Sequence, residues 1–428
     1  MAFQVGTTSQ GTNAFLGGSG QRKVQQLCDG SLLVTFHDGS NWIGDIISTP
    51  KGTPSVAAIS GWPTKSATAA VPDVFVLNNG TTTSDVWVCE TQTNTGVSHA
   101  VYTASGQSWA WDATTQIAGS SNASFWPQIV WTGTNLIVAI QDKPGGTNYV
   151  TTVFWTTTKN GTAGWSTAIS GFESTSPTAT RYNRPLLIHD VTAACTVMFY
   201  SDAASSPYAV RGRVLSDAFT PALANWGSQV DLGLSIDLDA VGGGIGVGSN
   251  SYDDMNGFQA IIDGGNKRYH LVVSNGPAGS THDPYYLNGI ITVDAVTVAN
   301  NTLTVANTIT VDTVNTNTMV AIGIDGSGQV WIFWGHEPSG TQGDIYYSTS
   351  VAPYTSATAG TNLTNNLSGN CQATHIPQDV VLSGAIPVIY ATGSANPWTV
   401  WMDTTLTALS GSTTVMDRYP MPWARLPL

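Results

Sequence analysis

Short apolar segments alternate with polar turns along the whole chain. The stretch "DGSGQVWIFW" at 325–334 joins a tight polar turn to a strand that is apolar on both faces. Comparable segments begin at positions 29, 78, 131, 189, 263 and 382. Their centres lie roughly 50 to 75 residues apart, a spacing typical of repeats that are each one supersecondary unit.

Each of the seven segments has similar neighbours. A short apolar strand precedes it, as in "AVPDVFVL", and an alternating strand follows it, as in "SHAVYTAS". A weaker fourth strand often opens on an aromatic residue, as at Trp109, Trp165, Trp226 and Tyr354. Continuous apolar strands are typical of burial on both faces, and alternating strands of the solvent rim. Four strands repeated seven times predict an all-β fold, a single seven-bladed β-propeller.

Two segments depart from the repeat. Residues 232–256 are long and glycine-rich, which predicts a surface insertion or a distorted strand pair. Residues 294–318 form a Val/Thr/Asn run that predicts an extra hairpin with its turn at Asn300 and Asn301. Six blades plus an insertion is therefore the alternative.

The two ends of the chain differ from the repeat as well. We expect the propeller to occupy 21–411, with residues 1–20 as an N-terminal segment that can supply the ring-closing strand. Residues 412–428 include three prolines, which exclude a central strand. They predict an extended tail.

Composition narrows the function classes. Charged residues make up 10% of the chain, beside 45 glycines and 15 tryptophans, and this balance favours strands and tight turns. A net charge of -13 with 14 Lys plus Arg argues against nucleic-acid binding. No apolar run predicts membrane insertion or a signal peptide. The four cysteines lie far apart without a CxxC pair, so we expect no metal site and no cofactor.

Two short stretches carry a resemblance to a known family. "YTASGQSW" at 102–109 and "TKNGTAGW" at 158–165 look like degenerate forms of the Asp-box, with Asn160 where the family usually has Asp. The chain therefore resembles the sialidase-like, or Asp-box, propellers, which implies the same architecture.

The composition carries a second resemblance. Its richness in Thr, Gly and Asn and its scarce lysine resemble bacteriophage tail and fibre proteins. That resemblance implies a protein located in the virion, made in the host cytoplasm without a signal peptide. It also implies docking to other virion proteins in an oligomeric assembly.

Candidate chemistry lies on one face of the predicted ring. The loops between second and third strands and between blades open onto a common face, the default ligand site of a propeller. Acids stand there near the ends of second strands, and Glu90, Glu337 and Asp142 are the catalytic candidates if the protein is an enzyme. The simpler alternative is that strands end in polar residues where they meet water.

Arginine, histidine and aromatic side chains complete this face. Arg181 and Arg184 lie in "RYNRP", yet the early Arg-Ile-Pro element of sialidases and their tyrosine nucleophile are not found. Flat aromatic rings can stack on the apolar face of a sugar. The ligand-binding candidates are Trp42, Trp126, Arg181, Arg184, His282, Asp283, Tyr285, Tyr286, His336 and Trp398.

Three functional hypotheses follow from the sequence. The first is a structural and binding component of a phage virion that mediates subunit docking or recognises a host-surface polysaccharide. The second is a glycan-acting hydrolase of a sialidase-like propeller class. The third is a lectin-like propeller. The sequence favours a protein without enzymatic activity.

Overall fold

The computed structural model describes most of the chain. The described residues are 2–8, 21–63, 71–91, 94–119, 125–142, 150–173, 185–202, 208–236, 258–275, 283–313, 317–336, 343–364, 370–378, 380–393 and 398–408. Within these ranges the protein is all-β, with three single-turn 3-10 helices, Leu223–Asn225, Gly264–Asn266 and Val298–Asn300. No helix in these ranges has the length and apolar character needed to cross a membrane.

The described strands form eight sheets, of which seven are blades built from antiparallel strands, so the predicted seven-bladed β-propeller is confirmed. From the inner strand outward, blade 1 contains Val24–Gln26, Leu32–His37, Trp42–Ser48 and Ser55–Ala58. Blade 2 contains Asp73–Asn79, Thr83–Thr91, Thr95–Thr103, Ser108–Trp111 and Thr115–Gln116. Blade 3 contains Phe125–Trp131, Leu136–Asp142 and Val150–Thr156, with a single outer bridge between Val153 and Ile169.

The other four blades follow the same order. Blade 4 contains Leu186–Asp190, Cys195–Asp202, Tyr208–Ser216 and Val230–Ile236. Blade 5 contains Phe258–Asp263, Arg268–Asn275, Asp283–Thr292 and Thr302–Thr310. Blade 6 contains Asn317–Asp325, Val330–His336, Asp344–Ser350 and Thr361–Asn362, and Val381–Leu382 runs parallel to its inner strand. Blade 7 contains Asn370–His375, Val388–Gly393, Trp398–Asp403 and Phe3–Thr8, and beside it Gly384–Ala385 pairs with Thr407–Ala408.

The repeated polar turn has a clear physical function. Asp325 Oδ1 accepts hydrogen bonds from the backbone N–H groups of Ser327 at 2.9 Å and Gln329 at 3.1 Å. Its Oδ2 accepts from Trp331 Nε1 at 3.0 Å. An aspartate in this position holds the turn between first and second strands because its carboxylate replaces the missing ladder partners. Asp29 binds Ser31 N in the same way, at 3.0 Å.

Side chains of the inner strands connect neighbouring blades. Asp73 of blade 2 accepts from Ile129 N of blade 3 at 2.9 Å. Gln128 of blade 3 accepts from Leu187 N of blade 4 at 3.4 Å, and Gln259 of blade 5 accepts from Ile322 N of blade 6 at 3.3 Å. These bonds satisfy backbone donors that no ladder serves, and they fix the blades around the axis.

The core lies between the faces of adjacent blades. The second strands Leu136–Asp142, Cys195–Asp202 and Val330–His336 are buried along their whole length, which explains their continuous apolar sequence. Between blades 2 and 3, the rings of Trp87 and Trp131 stack at a centroid distance of 6.3 Å.

The N-terminal segment closes the ring. The strand Phe3–Thr8 pairs with Trp398–Asp403, with Phe3 opposite Met402 and Thr8 opposite Trp398. The outermost strand of blade 7 therefore comes from the beginning of the chain, while its inner three come from the end. Val5 is buried in this sheet and contributes to the core between blades 7 and 1.

The two departures from the repeat fall differently in the structure. The expected extra hairpin at 294–318 is not formed, because Thr302–Thr310 is the outer strand of blade 5 and Asn317–Asp325 is the inner strand of blade 6. Its alternating pattern is that of an outer strand with one solvent face. Of the expected insertion at 232–256, the first residues belong to the outer strand Val230–Ile236. The remainder, like the tail at 412–428, lies outside the described residues.

Candidate functional site

The upper face is defined here as the face where second strands end and third strands begin. On this face of blade 6, His336 ends the second strand, and the third strand begins at Asp344 directly opposite it. Tyr346 lies opposite Trp334, two residues further along both strands. Because side chains two residues apart share a face of a strand, these four side chains line one side of blade 6.

Asp312 comes to the same place from blade 5. It follows the outer strand Thr302–Thr310 and Val311, whose N–H donates to the carbonyl of Pro284 at 2.9 Å. Asp312 Oδ2 lies 2.9 Å from His336 Nδ1 and 3.1 Å from Trp334 Nε1. Asp312, Trp334, His336, Asp344 and Tyr346 are called the blade 6 site below.

The hydrogen bond to Asp312 assigns the proton of the imidazole. A carboxylate only accepts hydrogen bonds, so His336 Nδ1 carries a hydrogen and the lone pair of the neutral ring is on Nε2. No hydrogen bond joins Nε2 to another residue of the described ranges. The side chains of His336 and Asp312 are 10% and 16% exposed, so water and small groups can reach the edge of the pair.

Tyr346 lies against this imidazole. The ring centroids of His336 and Tyr346 are 4.5 Å apart and the ring planes meet at 36°. The side chain of Tyr346 is half-buried, and Asn362 Nδ2 approaches its hydroxyl at 3.5 Å. A phenol and an imidazole therefore stand side by side at the upper face.

Both carboxylate oxygens of Asp344 accept hydrogen bonds from neutral side chains. Its Oδ2 accepts from Asn362 Nδ2 at 2.9 Å, and its Oδ1 accepts from Thr364 Oγ1 at 3.0 Å. Thr364 Oγ1 also accepts from Ile345 N at 2.9 Å. Both carboxylates of the blade 6 site thus have fixed hydrogen-bond partners.

The structure places several predicted site residues inside the protein. Glu90 and Asp142 are buried near the ends of their second strands, and Trp42 is buried beneath the upper face. Lys23 Nζ lies 5.0 Å from the centroid of the Trp42 ring, which is the geometry of a cation–π contact. Trp126 is also buried, at a backbone φ of 53°.

Tyr286 and its neighbours occupy the upper part of blade 5. Tyr286 is fully buried, and its hydroxyl lies 2.6 Å from His270 Nδ1. Burial lowers the pKa of His270 to about 3, helped by the charge of Arg268. Asp283 and Tyr285 are half-buried at the start of the third strand.

The remaining predicted residues lie outside the described part of the chain. These are Glu337, Arg181, Arg184 and His282. Trp398 begins the third strand of blade 7, and its side chain is outside the described part as well. Among the predicted site residues whose side chains the structure describes, His336 is the one that it brings into the blade 6 site.

Sequence reasoning missed Asp312, Trp334 and Tyr346. The signal for Tyr346 was present, because the alternation in "DIYYSTS" puts it on the face of Asp344. Asp312 gave no such signal, since its contact with His336 joins two different blades. Among the described residues, no group of three His, Cys, Asp or Glu side chains is arranged to hold a metal ion.

Two basic residues at the start of blade 1 were also missed. Arg22 is buried, with Nη2 at 2.6 Å from Asp73 Oδ2 and Nε at 3.2 Å from Oδ1. Lys23 is fully buried, and its ammonium donates to the carbonyl of Pro72. Burial lowers the pKa of Lys23 to about 7, although the charge of Asp73 opposes this shift.

Comparison with known proteins bears on the fold. No family model and no curated protein matches this sequence. Among solved structures, a polysaccharide lyase of family PL25, an ulvan lyase bound to -[GlcA(1-4)Rha3S]-, is similar with a TM-score of 0.56 and 9% identity over 96% of both chains. A second structure of a PL25 ulvan lyase has a TM-score of 0.55, with 9% identity over 96% of both chains.

A glycoside hydrolase gives a weaker similarity. An α-L-arabinofuranosidase from Podospora anserina in complex with cellotriose has a TM-score of 0.33 and 9% identity, over 68% of this chain and 93% of its own. At 9% identity, the similarity to the ulvan lyase shows a shared fold and not a shared activity. By its sheets and by these comparisons, the chain is a seven-bladed β-propeller of the architecture that the ulvan lyases also have.

Proposed function

We propose that the protein cleaves a polysaccharide and that His336 accepts the proton that is removed from a carbon atom of the sugar. The observation that carries the proposal is the hydrogen bond of 2.9 Å between His336 Nδ1 and Asp312 Oδ2, with the ring beside Tyr346 and with no partner for Nε2 among the described residues. A carboxylate behind an imidazole fixes its orientation and stabilises the imidazolium that forms when Nε2 takes a proton. The phenol of Tyr346 can donate its own proton to the leaving oxygen, and the imidazolium of His336 beside it can then restore that proton.

The geometry favours elimination over hydrolysis. Glycoside hydrolysis uses two carboxyl groups, one of them protonated at the start. Asp312 and Asp344 are each bound to fixed donors, so neither is arranged as a free acid. Elimination needs a base for a carbon-bound proton next to a carboxylate, and an acid for the leaving oxygen. His336 and Tyr346 can fill these roles, and the substrate class is a glycan that contains a uronic acid.

The fold similarity supports the same proposal. The ulvan lyase is bound to a glycan that includes GlcA, a uronic acid, and its fold matches this chain over 96% of both lengths. This favours a glycan-acting enzyme over the virion subunit that composition suggested. A location in the virion, docking to other virion proteins and an oligomeric state stay predictions, and ultracentrifugation of the purified protein is the test of the last.

The test is a cleavage assay with two readouts. Purified protein is incubated with ulvan, with other uronic-acid-containing polysaccharides and with neutral ones, and both reducing ends and the ultraviolet absorbance of an unsaturated product are followed. We expect both signals on a uronic-acid-containing substrate. His336→Ala should lower the rate by at least about a hundredfold, the usual size of a general-base contribution.

Adjacent tyrosines supply a matched control. Tyr346→Phe removes the phenol beside His336, whereas Tyr347→Phe removes one that packs against Phe333 on the opposite side of the same strand. Only Tyr346→Phe should lower the rate. Reducing ends without ultraviolet absorbance would indicate the hydrolase alternative instead. No release from any polysaccharide would refute the enzyme and leave a binding or assembly protein.

A further inference from the structure

One carboxylate oxygen of the blade 6 site receives two hydrogen bonds. Asp312 Oδ2 lies 3.1 Å from Trp334 Nε1 and 2.9 Å from His336 Nδ1. The indole N–H is a donor only, so it cannot exchange roles with the carboxylate. The carboxylate of Asp312 is therefore held between His336, which the proposed reaction uses, and Trp334, which it does not use.

Trp334 is itself held in place by packing. Its side chain is fully buried in the core between blades 5 and 6, and its ring lies 6.1 Å from that of Tyr346. Gly360 lies so close that a Cβ there would be 2.8 Å from a ring carbon of Trp334. Because close-packed side chains stay in one rotamer, the indole N–H points in one fixed direction.

Asp312 is less deeply buried than Trp334, and its Oδ1 accepts a hydrogen bond from the neighbouring Thr313 N at 2.8 Å. It follows the end of an outer strand, and its side chain is 16% exposed, so water competes for its oxygens. Without the indole donor, Oδ2 loses the donor whose direction is fixed by packing, so its orientation toward His336 is less strictly set. The preference of the His336 proton for Nδ1 would then be weaker.

We infer that Trp334 is a positioning residue for His336 and acts through Asp312. Its N–H fixes the carboxylate, the carboxylate fixes the Nδ1–H tautomer, and Nε2 is left as the proton acceptor. Trp334 is fully buried, so its side chain has no surface for a substrate to contact. The inference rests on the proposed function for its catalytic consequence, but the effect on the tautomer is independent of any substrate.

The same strand contains a matched control. Trp331 Nε1 donates to Asp325 Oδ2 at 3.0 Å, near the opposite end of Val330–His336. Trp334→Phe and Trp331→Phe thus each remove one indole N–H from one aspartate and leave an aromatic ring. Only the first of these aspartates contacts His336.

The experiment compares the two variants in two ways. Trp334→Phe should lower kcat by roughly ten- to a hundredfold with KM unchanged, as loss of an outer support of a catalytic group typically does. Trp331→Phe should keep the wild-type kcat. In 15N imidazole spectra of His336, the wild type and Trp331→Phe should show the Nδ1–H tautomer, and Trp334→Phe should show added Nε2–H tautomer.

Each outcome decides the inference. An unchanged tautomer in Trp334→Phe, or an equal loss of kcat in both variants, would overturn it and leave Trp334 as packing alone. If the wild type cleaves no polysaccharide, the proposed function fails, while the spectra still decide the positioning relationship. Should Trp334→Phe not fold, benzothienylalanine at position 334, which replaces the N–H by sulfur with the ring shape kept, provides the same test.

Discussion

Asp85 Oδ1 lies 2.9 Å from His99 Nε2 in the interface between blades 2 and 3. The other carboxylate oxygen of Asp85 lies 2.6 Å from Lys159 Nζ and 2.6 Å from Asn79 Nδ2. His99 Nδ1 in turn lies 2.8 Å from Asp112 Oδ2. The network connects two blades through one buried carboxylate, so the stability of their interface depends on the charge of Asp85.

Acid should weaken this interface in a defined range. Burial opposes ionisation of Asp85, but hydrogen bonds from His99, Lys159 and Asn79 outweigh it and lower its pKa to about 2. An unfolded aspartate has a pKa of about 3.9. The stabilisation is therefore complete above that value and is lost as the pH falls through about 2.

We expect the free energy of unfolding of the wild type to fall more steeply between pH 4 and pH 2 than that of Asp85→Asn. Urea unfolding at several pH values measures the difference. If the free energies of unfolding of the wild type and Asp85→Asn change in parallel over this range, Asp85 is not the source of the pH dependence.

The buried ammonium of Lys23 should act at higher pH. Burial lowers its pKa from 10.5 to about 7, so between these values the unfolded chain binds more protons than the folded one. The free energy of unfolding therefore decreases as the pH falls from about 10.5 toward 7, because the folded protein must then bury a charged ammonium. Lys23→Met should therefore be more stable than the wild type at pH 6, by on the order of 2 kcal/mol. The difference in the free energy of unfolding between the two proteins should become smaller toward pH 10. A difference that does not change with pH would contradict this prediction.

A glycine at the junction of blades 4 and 5 should tolerate no side chain. A Cβ on Gly227 would lie 1.9 Å from the backbone oxygen of Asn301, which cannot move aside without the outer strand of blade 5. Gly227→Ala should cost about 2 kcal/mol or more. Gly52→Ala is the control, because its nearest atom is at 3.8 Å. Thermal unfolding of both variants decides the matter, and equal midpoints would refute it.

Ring closure should depend on the N-terminal strand. Removal of residues 1–8 deletes the outer strand of blade 7 and the buried Val5, and exposes the edge of Trp398–Asp403. We expect a lower unfolding temperature and more aggregation than for Gln4→Ala, which changes an exposed side chain of the same strand. Calorimetry and light scattering measure both effects. A truncated protein as stable as the wild type would show that closure does not need this strand.

The blade pattern was predictable because it is local. Polar turns such as that at Asp325 and buried strands such as Val330–His336 repeat with a period that the sequence displays directly. The outer strand Thr302–Thr310 was misassigned to a hairpin because alternating residues look alike in a hairpin and at the rim of a blade.

The site was less predictable because its contacts cross between blades. His336 was found from its place after a second strand, but Asp312 reaches it from blade 5 across 24 residues of sequence. Glu90 and Asp142 follow the same positional rule and are more deeply buried than His336. Position along a strand tells which face a residue approaches, whereas its exposure depends on the neighbouring blade.

The pairing of Phe3–Thr8 with Trp398–Asp403 also sets an order of events during synthesis. In the order of the chain, Phe3–Thr8 precedes blades 1 to 6, so it can pair with Trp398–Asp403 only after those blades have been translated. The sheets of blades 1 to 6 can form one after another while Phe3–Thr8 is still unpaired. Pairing of these two strands closes the ring only after blade 7 has been translated, so a closed ring requires all seven blades.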